Sequence, residues 1–182
     1  MRTILALSAA VLFSTGALAQ PSTVILVRHG ERATEPANDP VLTDAGKARA
    51  AALKDVLRGA RITSVVTTHL QRTQLTAKPL MESLALSPIV VRAGGTGHAD
   101  SVAATVRRRP AGDVVLVVGH SNTIPAIVGA LGGPKMPDLC DGQYPMLYIL
   151  EFPPGGGAPR YIEARYGAAD APDGANCTRS MR

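Results

Sequence analysis

Two histidines stand at the ends of apolar runs. The run Thr23-Val24-Ile25-Leu26-Val27 leads into Arg28-His29-Gly30-Glu31-Arg32, and residues 113–118 lead into Gly119-His120-Ser121-Asn122. A third set, Thr67-Thr68-His69-Leu70-Gln71-Arg72, puts Arg72 in the first turn of an expected helix. A cation there faces the positive end of the helix dipole, and a nearby anion relieves the mismatch. Singly, a strand-end histidine is commonly a hydrogen-bonded structural residue and a first-turn arginine a solvated one. Together they suit chemistry on an anion. Phosphoryl transfer asks for this set, because guanidinium forks and helix N-terminal amides stabilise charge spread over three equatorial oxygens. A neutral imidazole nitrogen also attacks phosphorus without prior deprotonation and splits hydrolysis into two easier steps. Arg28 and Arg72 would supply forks, Arg32 a third, and His29 the nucleophile. Gly30 is expected to let phosphate approach the backbone.

Strand-like and helix-like segments alternate along the chain. Residues 23–27 are a continuous β-rich run, and Thr43-Asp44 opens a helix with Ala45, Ala48, Ala52, Leu53, Val56 and Leu57 on one face. Residues 62–66 read as a second strand and 70–84 as a second helix, which Pro79 should kink or cut short. A short strand over 88–91, a helix over 100–109 and the most apolar strand over 113–118 follow. Residues 121–131 form a helix capped by Ser121, and two strands, 146–152 and 160–165, close the order around a Pro-Gly turn. Alternating elements with apolar strands predict an α/β fold, a three-layer α/β/α sandwich on a mainly parallel sheet, with the last strand or two antiparallel. Ligands in such sheets gather at the carboxyl ends of strands, where the histidines lie.

The chain has 182 residues, 46% of them hydrophobic and 18% charged, which suits a packed core and excludes disorder. The first stretch, Met1-Arg2-Thr3, an apolar middle and Ala17-Leu18-Ala19, has the layout of a cleaved secretory signal. Residues 1–19 are thus expected to be removed, leaving 20–182 as one exported domain, periplasmic or secreted, with no membrane span. Export permits a Cys140–Cys177 disulfide, worth about 4 kcal/mol in the chain-entropy model. The formal charge is +5, with no Trp and aromatics at 3%. So few aromatics leave little for stacking on nucleic-acid bases, so no nucleic-acid partner is expected. A small anionic substrate suits the charge, and nothing demands more than a monomer.

Several segments together resemble the histidine phosphatase superfamily, which includes the cofactor-dependent phosphoglycerate mutases. Leu26-Val27-Arg28-His29-Gly30 is similar to its signature strand and loop, and Leu42-Thr43-Asp44-Ala45-Gly46 to its first helix start. Arg72-Thr73-Gln74-Leu75-Thr76-Ala77 resembles its second arginine segment, and Val118-Gly119-His120-Ser121 its second histidine. The resemblance implies a phosphoglycerate mutase-like fold, His29 as phosphate acceptor, and Arg28, Arg72 and His120 holding the phosphoryl oxygens, with no cofactor or metal. It implies a phosphatase acting on a small phosphorylated substrate. A mutase must exclude water and be primed by a phosphorylated metabolite.

The proton donor to the leaving group is open at this level. Members of the larger branch place a glutamate after the third strand, whereas residues 91–101 hold only Arg92, His98 and Asp100 as ionisable groups. Asp100 is the leading candidate for catalytic acid, with the N-cap of the next helix as its structural alternative. His98 and Glu31 are the others, although Glu31 beside arginines is also suited to orienting them. Two rivals from other classes are a non-catalytic phosphate-binding protein on the same fold and a metalloprotein using His29, His69, His98 and His120. The second suffers from the scatter of those histidines along the chain.

Overall fold

The computed structural model describes residues 21–170. The expected signal segment, 1–19, and Cys177, the expected partner of Cys140, lie outside the described residues. The elements run β1 (Thr23–Arg28), α1 (Asp44–Leu57), β2 (Ser64–Thr67), α2 (Gln71–Leu84), β3 (Pro88–Val90), α3 (His98–Arg107), β4 (Val114–Gly119), α4 (Thr123–Ala130), β5 (Met146–Glu151) and β6 (Arg160–Arg165). They form one six-stranded sheet of order β3-β2-β4-β1-β5-β6. β3, β2, β4 and β1 pair in parallel, and β5 runs antiparallel to both β1 and β6, so one strand of six is reversed.

Successive side chains of a strand point to opposite faces, so apolar strands feed two cores. Val24 and Leu26 of β1, Val115 and Val117 of β4, and Tyr148 and Leu150 of β5 meet α3 and α4 through Val102, Val106, Ile124, Ile127 and Val128. Ile25, Val27, Leu116 and Val118 meet α1 and α2 on the other face through Leu53, Leu57, Leu80 and Met81. The three-layer α/β/α sandwich is as expected. Its loops bring three of the parallel strand ends together, with Arg28 level with Gly119 across the β1–β4 pair.

Several local expectations are revised. α2 runs past Pro79 to Leu84 and ends at Ala85 in the left-handed conformation, φ 52°. Ser121 does not cap α4, whose N-cap is Asn122 with no side-chain bond. α3 begins at His98 behind Gly97, so Asp100 lies inside its first turn and is not the N-cap. The buried stripe of α1 is Gly46, Arg49, Ala50, Leu53 and Leu57, while Val56 is exposed. Among alanines the apolar phase is weak, and a glycine and an arginine set it instead.

Thr43 caps α1, its Oγ1 accepting from the Gly46 N–H at 3.2 Å. Gly46 then abuts the loop after β1: a Cβ there would overlap the carbonyl oxygen of Glu31, and a Cβ on Gly30 would sit 2.9 Å from the Gly46 oxygen. Helix propensity favours alanine over glycine by about 1 kcal/mol. The rigid backbone contact reverses that sign, and Gly46→Ala is expected to cost about 2 kcal/mol, read as a lower urea midpoint. A midpoint unchanged or raised would refute the tight seat.

Candidate active site

β1 and β4 end side by side, and the His29 N–H donates to the Gly119 carbonyl at 3.0 Å. Their next residues are therefore neighbours, and the His29 and His120 rings meet edge to face with centroids 5.3 Å apart. Both histidines line a cavity of about 480 Å³, together with Arg28, Arg32 and Arg72. All four histidines of the chain face this cavity, His69 and His98 included. The sequence had left them scattered, and the fold gathers them. No group of three metal-binding side chains is arranged to hold an ion among the described residues.

The hydrogen bonds fix the state of each ring. His29 Nδ1 lies 2.8 Å from the Gly30 carbonyl oxygen, which only accepts, so Nδ1 carries the hydrogen and Nε2 the lone pair. Burial, aided by the charges of His120, Arg28 and Arg72 and opposed by the Gly30 bond, lowers the His29 pKa to about 2. The ring is neutral at physiological pH.

For His120 the threonines settle the tautomer. Thr73 Oγ1 donates to the Leu70 carbonyl at 2.8 Å, so the hydroxyl of Thr68 donates to Thr73 Oγ1 at 2.9 Å. The hydrogen on Thr68 is thereby used, and His120 Nε2, 3.2 Å away, must be the donor to it. His120 Nδ1 is left buried without a partner. Burial, and next the charge of Arg72, lowers the His120 pKa to about 3.

The guanidiniums crowd one another. The Arg72 pKa falls below its ordinary value through burial and then through the charge of Arg32; that of Arg28 falls chiefly through burial. Nε of both is buried without a partner. Buried donors normally find partners, and like charges are held together where an anion is to sit between them. Arg28 is already half committed: Nη1 donates to the Cys140 and Asp141 carbonyls at 2.7 and 2.8 Å, and its guanidinium lies 4.1 Å from the Tyr144 ring centroid. Nη2 donates to the Tyr144 hydroxyl at 3.4 Å, which leaves Nε as the nitrogen without a partner. Arg72 stands in the first turn of α2 as expected, with Asp39 at 3.9 Å, and Arg32 is exposed at the rim. The α4 N-terminus adds Ser121, Asn122 and Thr123 to the wall, with no side-chain cap on the helix.

Two expected site residues are not on this wall. The bare Cα of Gly30 faces Gly46, and its N–H donates to Thr76 Oγ1 at 2.9 Å, so this glycine serves loop packing instead of phosphate approach. Asp100 is exposed on α3, on the side away from the buried His98, Val102 and Val106. Glu31 takes the orienting role, but for an arginine the sequence did not single out. Arg49 of α1 makes bonds of 3.0, 3.0 and 2.7 Å to its carboxylate and donates to the Tyr166 carbonyl. Thr68, Thr73, Thr76, Arg49 and Tyr144 were all missed. Their signal is weak, because each acts through a partner distant in sequence or through a hydroxyl of ordinary composition.

The comparisons bear on this site. The sequence model described as Histidine phosphatase superfamily (branch 1) matches residues 24–94, which carry β1 through β3. No curated protein matches the chain in sequence. Among solved structures, an Escherichia coli protein named as a candidate alpha-ribazole-5'-P phosphatase superposes with TM-score 0.62 at 15% identity, covering 79% of this chain and 97% of that one. The candidate phosphohistidine phosphatase SixA of Agrobacterium tumefaciens gives TM-score 0.56 at 18% identity, over 82% and 99%. A mycobacterial glucosyl-3-phosphoglycerate phosphatase in complex with VO3 gives 0.57 at 18%, over 81% and 100%. These likenesses show the fold, and the family match supplies the segment that carries Arg28, His29 and Arg72. Over residues 24–94 the chain is therefore similar to the histidine phosphatase superfamily, and over most of its length it shares the fold of solved phosphatases.

Proposed function

We propose that this chain is a phosphatase that hydrolyses phosphate esters or anhydrides through a phosphohistidine on His29, without a metal ion, outside the cytoplasm. The observation that carries the reading is a neutral imidazole with a free Nε2 lone pair beside two guanidinium groups whose buried Nε atoms have no partner. Arg72, Arg32 and Arg28 hold the phosphoryl oxygens, with His120 beside them as a fourth residue of the cavity wall. In the first step Nε2 of His29 bonds to phosphorus as the ester oxygen departs. In the second, water displaces the imidazole and inorganic phosphate leaves. Export is supported by the charged start and apolar run of residues 1–19, and the proposed Cys140–Cys177 bridge would fasten the loop whose carbonyls hold Arg28.

The test is a rapid quench of the purified chain with isotope-labelled aryl phosphate. Acid-labile, base-stable label on the peptide containing His29, formed in a burst of leaving-group release, is expected. Saturable phosphate binding with no turnover would instead establish the non-catalytic alternative.

A further inference from the structure

If His29 is the nucleophile, one proton remains unassigned, the one that a poor leaving group needs as its oxygen departs. Asp100 is exposed and off the cavity wall, and Glu31 is locked to Arg49. His98 is on the wall and only 8% exposed. Its Nδ1 lies 3.0 Å from the Arg92 carbonyl oxygen, an acceptor only, so Nδ1 carries the hydrogen. Its Nε2 is buried with no partner. A buried ring nitrogen left unpaired beside a cavity is a nitrogen with capacity for one more partner. The ring begins the buried stripe of α3 that continues through Val102 and Val106.

Resting on the phosphatase reading, we propose that His98 is the general acid for the leaving group. As the phosphorus–oxygen bond breaks and the phosphorus–nitrogen bond to His29 forms, the proton on His98 Nε2 passes to the departing oxygen. In the second step the emptied Nε2 takes a proton from the attacking water as the phosphorus–nitrogen bond breaks, which restores the starting state. Imidazole is the side chain that gains and loses a proton near neutral pH. The charged and titratable groups lining the same cavity are Arg28, His29 and Arg32 from the end of β1 and the loop after it, His69 from the β2–α2 turn, Arg72 from the first turn of α2, His120 from the end of β4, and Asp141 as the only carboxylate among the lining residues. An arriving phosphoryl dianion offsets this cationic balance.

His98→Asn is the informative variant, since an asparagine amide keeps the donor to the Arg92 carbonyl and removes only the nitrogen facing the cavity. Across a series running from nitro-substituted aryl phosphates to alkyl phosphates, His98→Asn is expected to lose about a hundredfold in kcat/KM on the alkyl esters. On the nitro-aryl esters the loss should be no more than about threefold. Asp100→Asn is expected to show no dependence on leaving group. Equal loss across the series, or a selective loss in Asp100→Asn, would overturn the assignment. Should His98→Asn not fold, the wild-type pH profile decides. A basic limb for alkyl esters that is missing for nitro-aryl esters supports His98, and identical limbs refute it. Label trapped on His29 in wild type while the series is flat defeats this inference alone, whereas no label on His29 defeats the underlying reading.

Discussion

His29→Ala is expected to lower turnover of a nitro-substituted aryl phosphate by more than about a thousandfold, with the fold retained. The loss is large because nothing nearby can take over. His120 has its Nε2 tied to Thr68, and its Nδ1 is buried. Direct attack by water would keep the guanidinium cradle but lose the two-step route, and a small residual rate of that kind is all that should persist. The variant keeps the cradle, so inorganic phosphate should still compete with a fluorescent or labelled phosphate analogue at similar concentration. Added imidazole offers a second readout, since the removed ring leaves space between Gly30 and His120. Partial recovery of turnover with imidazole marks the missing nucleophile. Activity of His29→Ala within tenfold of wild type would remove the basis for the proposed mechanism.

The parallel sheet was legible because its strands are apolar on both faces, and the ends of β1 and β4 carried their histidines in plain sight. What could not be read was which face of a helix or loop each residue would take. Gly30 was expected to make room for a ligand, yet the neighbour that needs the room is Gly46, brought in by the turn into α1. Arg49 reads in the sequence as a charged residue in an alanine-rich helix, and the Glu31 carboxylate together with the Tyr166 carbonyl makes its burial tolerable. Asp100 lost its place through phase. A helix that starts at His98 turns residues 98, 102 and 106 inward and residue 100 outward. The spacing of His98, Val102 and Val106 holds that phase, one helical turn apart. The threonine chain that sets the tautomer of His120 depends on contacts across β2, α2 and β4 that no local pattern encodes.

Acid should unfold this protein unusually early. His29 and His120 are held neutral, with pKa values lowered from 6.5 to about 2 and about 3, while the unfolded chain protonates both near their ordinary value. Where the unfolded state binds more protons, stability falls as pH falls. The window therefore opens below about 6.5 and continues until the folded rings themselves take up protons, near 3 for His120 and lower for His29. Each histidine removes about 1.4 kcal/mol per pH unit inside that window. Between pH 6 and pH 4 the pair together is expected to cost about 5 kcal/mol, which is comparable with the whole stability of many domains. A comparison of variants isolates the histidines from every other group. The urea midpoint of a His29→Asn, His120→Asn double variant should fall much less steeply over this range than that of wild type. Parallel curves for the two proteins would mean that these rings are not neutral in the folded state, and the free lone pair assigned to His29 Nε2 would go with them.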